Sequence, residues 1–169
     1  MDALESLFKT LLSTFILFAP GMFANTLAGL SRYIKPLTPL GFPVDGGLTF
    51  RGKPLLGQNK TFRGLLAGTL MGGLLGIVCT SFGIGLLQGF GALLGDALGS
   101  FIKRQLNYAP GQRFPVLDQI DYVPTLLLAT ALFVPVTWGQ VVCLFFLATV
   151  GQISFSYFGY KLGLKDVPY

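Results

Sequence analysis

The chain has 169 residues, 52% of them hydrophobic and 11% charged, and its mean hydropathy is +0.67. Soluble domains carry about 25% charged residues, so this composition excludes a soluble globular protein and predicts an all-α integral membrane protein. The net charge of +5 and pI near 9.4 could suit nucleic acid, but basic loops beside a membrane explain them more simply, and no nucleic-acid partner is expected.

A helix needs roughly 20 apolar residues to cross the hydrocarbon, and five such runs are legible, at about 10–31, 64–81, 82–102, 122–136 and 140–160. The fourth is short, which places one of its ends in a thinned or water-filled region. With two long loops, about 32–63 and 103–121, these spans use the whole chain, so a single polytopic domain over 1–169 is expected. The loops hold nine of the twelve Lys and Arg residues, Lys161 and Lys165 follow the last run, and only Lys9 precedes the first. The positive-inside rule then puts the loops and the C-terminus in the cytoplasm and the N-terminus outside, as in a multi-pass protein of the cell membrane. Asp2 and Glu5, with no early basic cluster, argue against a cleaved signal peptide.

The first loop contains Pro36, Pro39, Pro43 and Pro54, the turn Val44-Asp45-Gly46-Gly47, and apolar residues such as Phe42, Leu48 and Phe50. A loop this long and this apolar is expected to be ordered, lying on the membrane surface. It ends in Asn59-Lys60-Thr61-Phe62-Arg63-Gly64, where loop becomes helix. Free N–H groups and the dipole at such a start favour phosphate, and Lys60 and Arg63 add charge. The plainer reading is Thr61 as N-cap beside cations on anionic lipid. The second run carries Gly64, Gly68, Gly72 and Gly76, and the third carries Gly91, Gly95 and Gly99. Stripes of small residues let helix backbones approach closely in lipid, which predicts a tight second–third pair holding Asp96 against the Lys60 to Gly64 segment. Cys79 and Cys143 lie inside predicted spans and read as space-filling thiols.

Only seven carboxylates occur, yet Asp96 lies near the end of the third run, and Asp118 and Asp121 open the fourth. Ionisable groups at membrane depth are costly and mark function. Asp118 and Asp121 could serve as helix caps, but Asp96 near a helix C-terminus is unfavourable without a cation. One divalent ion uniting all three removes the difficulty, and Mg²⁺ takes one or two carboxylates plus phosphates and waters. Asp96, Ser100 and Arg104 are spaced to share a helix face, with Lys103 beside it. The chain has no histidine. A phosphate monoester attacking another phosphate is already an anion and needs no general base, so positioning and charge neutralisation suffice.

The stretch Gly95-Asp96-x-x-x-Ser100-x-x-Lys103-Arg104, then Pro110-Gly111, then Asp118-x-x-Asp121, resembles the signature of the CTP:phosphatidate cytidylyltransferases, the CDP-diacylglycerol synthases. The bacterial and eukaryotic Lys-Asp after the Lys-Arg, and the Pro-Gly-His-Gly-Gly element, are missing. The short length, Val44-Asp45-Gly46-Gly47 and Gly57-Gln58-Asn59-Lys60-Thr61-x-Arg63-Gly64 look like the archaeal branch, the CDP-archaeol synthases. The resemblance implies a five-helix enzyme that moves the cytidylyl group of CTP to an isoprenoid ether lipid phosphate, 2,3-bis-O-geranylgeranylglycerol 1-phosphate, with one or two Mg²⁺ ions. By that analogy Asp118 and Asp121 ligate metal, with Asp96 in the same site. Lys60, Arg63, Lys103 and Arg104 are expected to hold the phosphates, with Lys103 and the three aspartates at the reacting centre. Asn59, Thr61 and Ser100 would donate hydrogen bonds, and backbone near Asp45 to Gly47 would read the cytosine. CTP, the lipid phosphate and membrane lipids are the expected partners. The main rival is a small cation or proton transporter relaying ions along Asp96, Asp118 and Asp121; clustering at one membrane face and the lack of an inverted repeat oppose it.

Overall fold

A computed structural model describes residues 2–109, 112, 114 and 116–163. Pro110, Gly111 and Lys165, named above, lie outside these. Among the described residues the α-helices are α1 (Asp2–Leu30), α2 (Phe62–Cys79), α3 (Phe82–Gln105), α4 (Leu117–Ile120), α5 (Val123–Ala131) and α6 (Trp138–Lys161). Four of them, α1, α2, α3 and α6, are long and apolar enough to cross a membrane.

Local chemistry sets most of the boundaries. The hydroxyls of Thr61, Ser81 and Thr137 accept from the N–H groups of Gly64 (3.2 Å), Ile84 (3.3 Å) and Gln140 (3.3 Å), fixing the starts of α2, α3 and α6. α1 begins about two turns earlier than the apolar run, because Glu5 and Lys9 pair at 2.6 Å on its exposed face. The run expected at 122–136 yields only the nine helical residues of α5, about 13 Å. Pro124 stands in its first turn, and Pro135 excludes helical backbone at Val134.

Glycine then determines how the helices meet. A Cβ on Gly72 would lie 2.6 Å from the Gly85 carbonyl and 2.8 Å from Gly89 Cα, so α2 and α3 touch backbone to backbone. The other half of the α2 stripe faces α1: a Cβ on Gly68 would meet the Ala24 carbonyl and Leu93 Cδ1, both at 2.8 Å. The predicted close α2–α3 pair is present, but Gly85 and Gly89 make its α3 side. Gly91, Gly95 and Gly99 turn to another neighbour, meeting Ala129, Tyr122 and Asp121 respectively, and so receive α5 and the turn before it.

These contacts also give direction. Gly139 lies beside Thr10 and Gly151 beside Met22, so α1 and α6 run parallel. α2 runs back along α1, and α3 runs forward again. The segment from 106 to 137, with α5 antiparallel to α3, returns the chain to the end where α6 begins. Phe18, Ala92, Val123, Leu126, Leu144 and Ala148 form the buried core between α1, α3, α5 and α6. Gln88 ties three of these helices together, donating to the Leu17 carbonyl (2.8 Å) and the Thr130 hydroxyl (3.0 Å). Outward-facing Leu70, Leu74, Val78, Phe146 and Trp138 are exposed, as lipid-facing side chains are.

The first loop is ordered, as expected. Residues 31–33 and 35–40 form 3₁₀ turns, and Thr49–Phe50 pairs antiparallel with Lys53–Pro54 around Arg51 and Gly52, both at positive φ. The hairpin docks on the end of α3: Lys53 Nζ donates to the Gln105 carbonyl at 2.6 Å, and the Phe50 and Phe101 rings lie 5.9 Å apart. Asp45 is buried, 7% exposed. Its carboxylate accepts from the N–H groups of Gly47 (3.0 Å), Leu56 (2.8 Å) and Gly57 (3.3 Å), which folds the loop back over α2. Burial pushes its pKa upward, yet those donors prevail and hold it below the ordinary carboxylate value.

Two outcomes follow. Gly85→Val drives a side chain into the α2 backbone and should cost about 1–3 kcal/mol or more, read as a lowered melting temperature in detergent. Gly83→Val, on a face with nothing within 4 Å, should be tolerated. Asp45→Ala strands the partly buried N–H donors of Leu56 and Gly57 and releases that of exposed Gly47 and should cost about 1–2 kcal/mol, read as faster proteolysis within 44–57.

Candidate active site

The helix starts and glycine contacts gather the charged residues at one end of the bundle, where two cavities adjoin. The larger, about 780 Å³, lies between α1, α2, α3 and α6. Leu65, Phe90, Leu93, Phe155 and Phe158 make it apolar, and Asn59, Lys60, Thr61 and Asp96 make one end polar. The smaller, about 120 Å³, is lined by Ser100, Lys103, Arg104, Gln112 and Asp118. Leu56, Asn59 and Lys60 border both.

Nearly every residue expected in the site is at this end. Lys60 Nζ lies 2.5 Å from Asp96 Oδ2, and Lys103 Nζ lies 2.6 Å from Asp118 Oδ1. Asp118 also accepts from the Phe114 N–H at 3.0 Å and makes no helix cap. Ser100 and Arg104 are buried, 6% and 5% exposed, and Arg104 donates to the Tyr108 carbonyl at 2.5 Å. Thr61 lines the larger cavity while serving as N-cap. Arg63 differs: it borders neither cavity, and its guanidinium lies against Gly41 in the first loop. Asp45, Gly46 and Gly47 border neither as well, because the Asp45 carboxylate is occupied in holding Leu56 and Gly57, which do.

Asp121 enters from the turn between α4 and α5, and its carboxylate sits in the space that a Cβ on Gly99 would take. Burial raises its pKa to about 8; the Asp96 and Asp118 charges add to the rise, and Lys60 and Lys103 oppose it. All five charges therefore interact. Among the described residues no three His, Cys, Asp or Glu side chains group closely enough to hold a metal unaided. Asp96 and Asp118 each face a lysine instead. Asp121 Oδ1, however, is buried with no hydrogen-bond partner. A buried carboxylate oxygen without a donor is costly unless a cation reaches it. Carboxylates beside cations form a donor set that would fit Mg²⁺, which completes its shell with phosphates and water.

Residues absent from the sequence expectations also border the cavities. Gln112 lines the smaller one, and Asn25, Thr26, Arg32 and Gln152 line the larger. Asn25 and Gln152 carried a legible signal, being amides inside apolar runs. Gln112 and Arg32 had none, since nothing local separates them from other polar loop residues.

The model of the CarS-like CDP-archaeol synthase family matches residues 7–169. The CDP-archaeol synthase of Methanococcus aeolicus is 36% identical over 82% of this chain and 91% of its own. That of Thermofilum pendens is 42% identical over 89% of this chain and 83% of its own. A solved structure described as an intramembrane enzyme for archaeal membrane lipids biosynthesis superposes with a TM-score of 0.70 at 31% identity, covering 83% of this chain and 90% of that one. With the match running through both basic loops and all three aspartates, the chain belongs to the CDP-archaeol synthase family.

Proposed function

We propose that the protein transfers the cytidylyl group of CTP to 2,3-bis-O-geranylgeranylglycerol 1-phosphate, releasing pyrophosphate, at an active site facing the cytoplasm. The short run at about 122–136 is read as one of five membrane crossings, with the N-terminus outside. The observation that carries the reading is the shared wall of the two cavities. One is largely apolar, at about 780 Å³, and suits prenyl chains, the other is polar and cationic, and Lys60 borders both.

The lipid tails lie along Leu65, Phe90 and Phe158, and the triphosphate meets Ser100, Lys103 and Arg104. At the junction an oxygen of the lipid phosphate attacks the α-phosphorus, and the bond from that phosphorus to the β-phosphate oxygen breaks. The nucleophile is an anion, so no base is needed. Lys60 is within reach of both phosphates and leaves Asp96 to meet them, screening their repulsion. Asp121, with Asp118 and Asp96, would hold Mg²⁺, which supplies neutralisation of the triphosphate charge. The first loop, tied by Asp45, keeps Asn59 over the junction and water out. The family assignment lends the ion-transport reading no support.

Asp121→Asn keeps the volume but removes the carboxylate. Pyrophosphate release from CTP and the lipid should fall by about 10²-fold or more, with the melting temperature of the metal-free protein kept, because burial already holds the Asp121 carboxyl largely protonated at neutral pH. Wild-type rates in this variant would remove Asp121 from the metal site. Lys60→Met should raise the KM for lipid and for CTP by about tenfold each, since one cation serves both phosphates; unchanged values for both would clear it of that role.

A further inference from the structure

The polar end of the larger cavity accounts for a phosphate and its apolar wall for tails, but two side chains fit neither. Asn25 of α1 and Gln152 of α6 line this cavity within its apolar part. Neither amide has a protein hydrogen-bond partner among the described residues, whereas the neighbouring Thr26 hydroxyl bonds the Met22 carbonyl at 3.5 Å. An amide in an apolar wall is costly unless a ligand meets it.

Their depth is defined by packing. Gly151 lies beside Met22, and the Phe155 and Phe23 rings are 5.9 Å apart, so Gln152 stands on the adjacent parallel helix about one turn below Asn25. Gly68 touches both Ala24 and Leu93, which places Asn25 beside Leu93 in height. Asp96, the partner of Lys60, is three residues further along α3, about 4–5 Å nearer the mouth. Asn25 therefore lies about one helical turn, and Gln152 about two, beneath the point where a lipid phosphate would be held. A few covalent bonds separate that phosphorus from the ether oxygens of a glycerol lipid, a distance of the same order.

Resting on the cytidylyl-transfer reading, we infer that Asn25 and Gln152 are the residues that recognise the glycerol backbone of the lipid, donating amide N–H groups to its ether oxygens. Ether oxygens accept hydrogen bonds and cannot donate, so a wall reading them needs donors, which Asn and Gln side chains supply and backbone carbonyls do not. The site thereby separates a dialkylglycerol phosphate from a prenyl phosphate, which offers the same charge and tail chemistry but no such oxygens. Loss of these donors removes binding to the glycerol alone.

The test uses the full chain with CTP and Mg²⁺ and follows pyrophosphate release. In Asn25→Leu/Gln152→Leu the KM for 2,3-bis-O-geranylgeranylglycerol 1-phosphate should rise about tenfold, two hydrogen bonds having been lost. Geranylgeranyl phosphate is then added as competitor, and its inhibition constant should stay within about twofold of wild type, since it engages neither amide. Both constants are independent of how much of the preparation is folded. A lipid KM within about twofold of wild type, or equal weakening of both lipids, overturns the assignment, the latter because the amides then merely shape the cavity. No pyrophosphate from the wild type with the glycerol lipid sinks the cytidylyl-transfer reading itself, and this assignment with it.

Discussion

Backbone contact between helices, made through glycine, is the constraint on which the rest of this structure depends. In lipid there is no hydrophobic force to press helices together, so close packing has to supply the attraction. Gly64 and Gly68 admit α1, Gly72 and Gly76 admit α3, and Gly91, Gly95 and Gly99 admit α5 with the turn before it. A side chain at any central position would separate the axes and move the helix ends apart. The charged residues sit at those ends. Asp121 is the clearest case, because its carboxylate occupies the room left by the missing Cβ of Gly99.

Gathering charge in this way is costly, and the arrangement shows how the cost is contained. Asp96 and Asp118 each meet a lysine, at 2.5 and 2.6 Å. Buried ion pairs rarely stabilise a fold on balance, because desolvation offsets the attraction. In the proposed reaction the lysines would exchange a carboxylate partner for a phosphate and the aspartates would be free to hold a metal, so charge pairing would be conserved as substrates arrive. Among the described carboxylates of this end, Asp121 alone has a fully buried oxygen with no hydrogen-bond partner.

The two cavities divide the labour by polarity. A region of about 780 Å³ with an apolar wall suits a lipid reached from within the membrane, and a polar one of about 120 Å³ suits phosphates reached from water. A group-transfer enzyme acting between a membrane lipid and a soluble nucleotide requires such a junction. Leu56 and Asn59 of the first loop border it, and one carboxylate, Asp45, spread over three backbone N–H groups, orders that loop. Midway along that loop the Val44 N–H donates to the Lys60 carbonyl at 2.7 Å, and the Lys60 N–H donates to the Gly57 carbonyl at 3.3 Å. Lys60 is therefore held from both directions.

The amino-acid sequence by itself determined the class, the helix starts and the identity of the charged set. Composition demands a lipid environment, Thr61, Ser81 and Thr137 cap locally, and scarce carboxylates at the ends of apolar runs stand out against the background. These signals are read from near neighbours in the chain. What only the tertiary structure decided is which surfaces meet. The stripe at Gly91, Gly95 and Gly99 looks the same whether it receives α2 or α5, and only the packed bundle assigns it to α5. Arg63 has the right charge and place in sequence, yet its direction on the first turn of α2 carries it to Gly41. Asn25 and Gln152 lie 127 positions apart and become one wall because α1 and α6 run parallel. Pairings of that kind depend on how whole helices stack, a property of contact areas summed over the bundle that no local pattern contains.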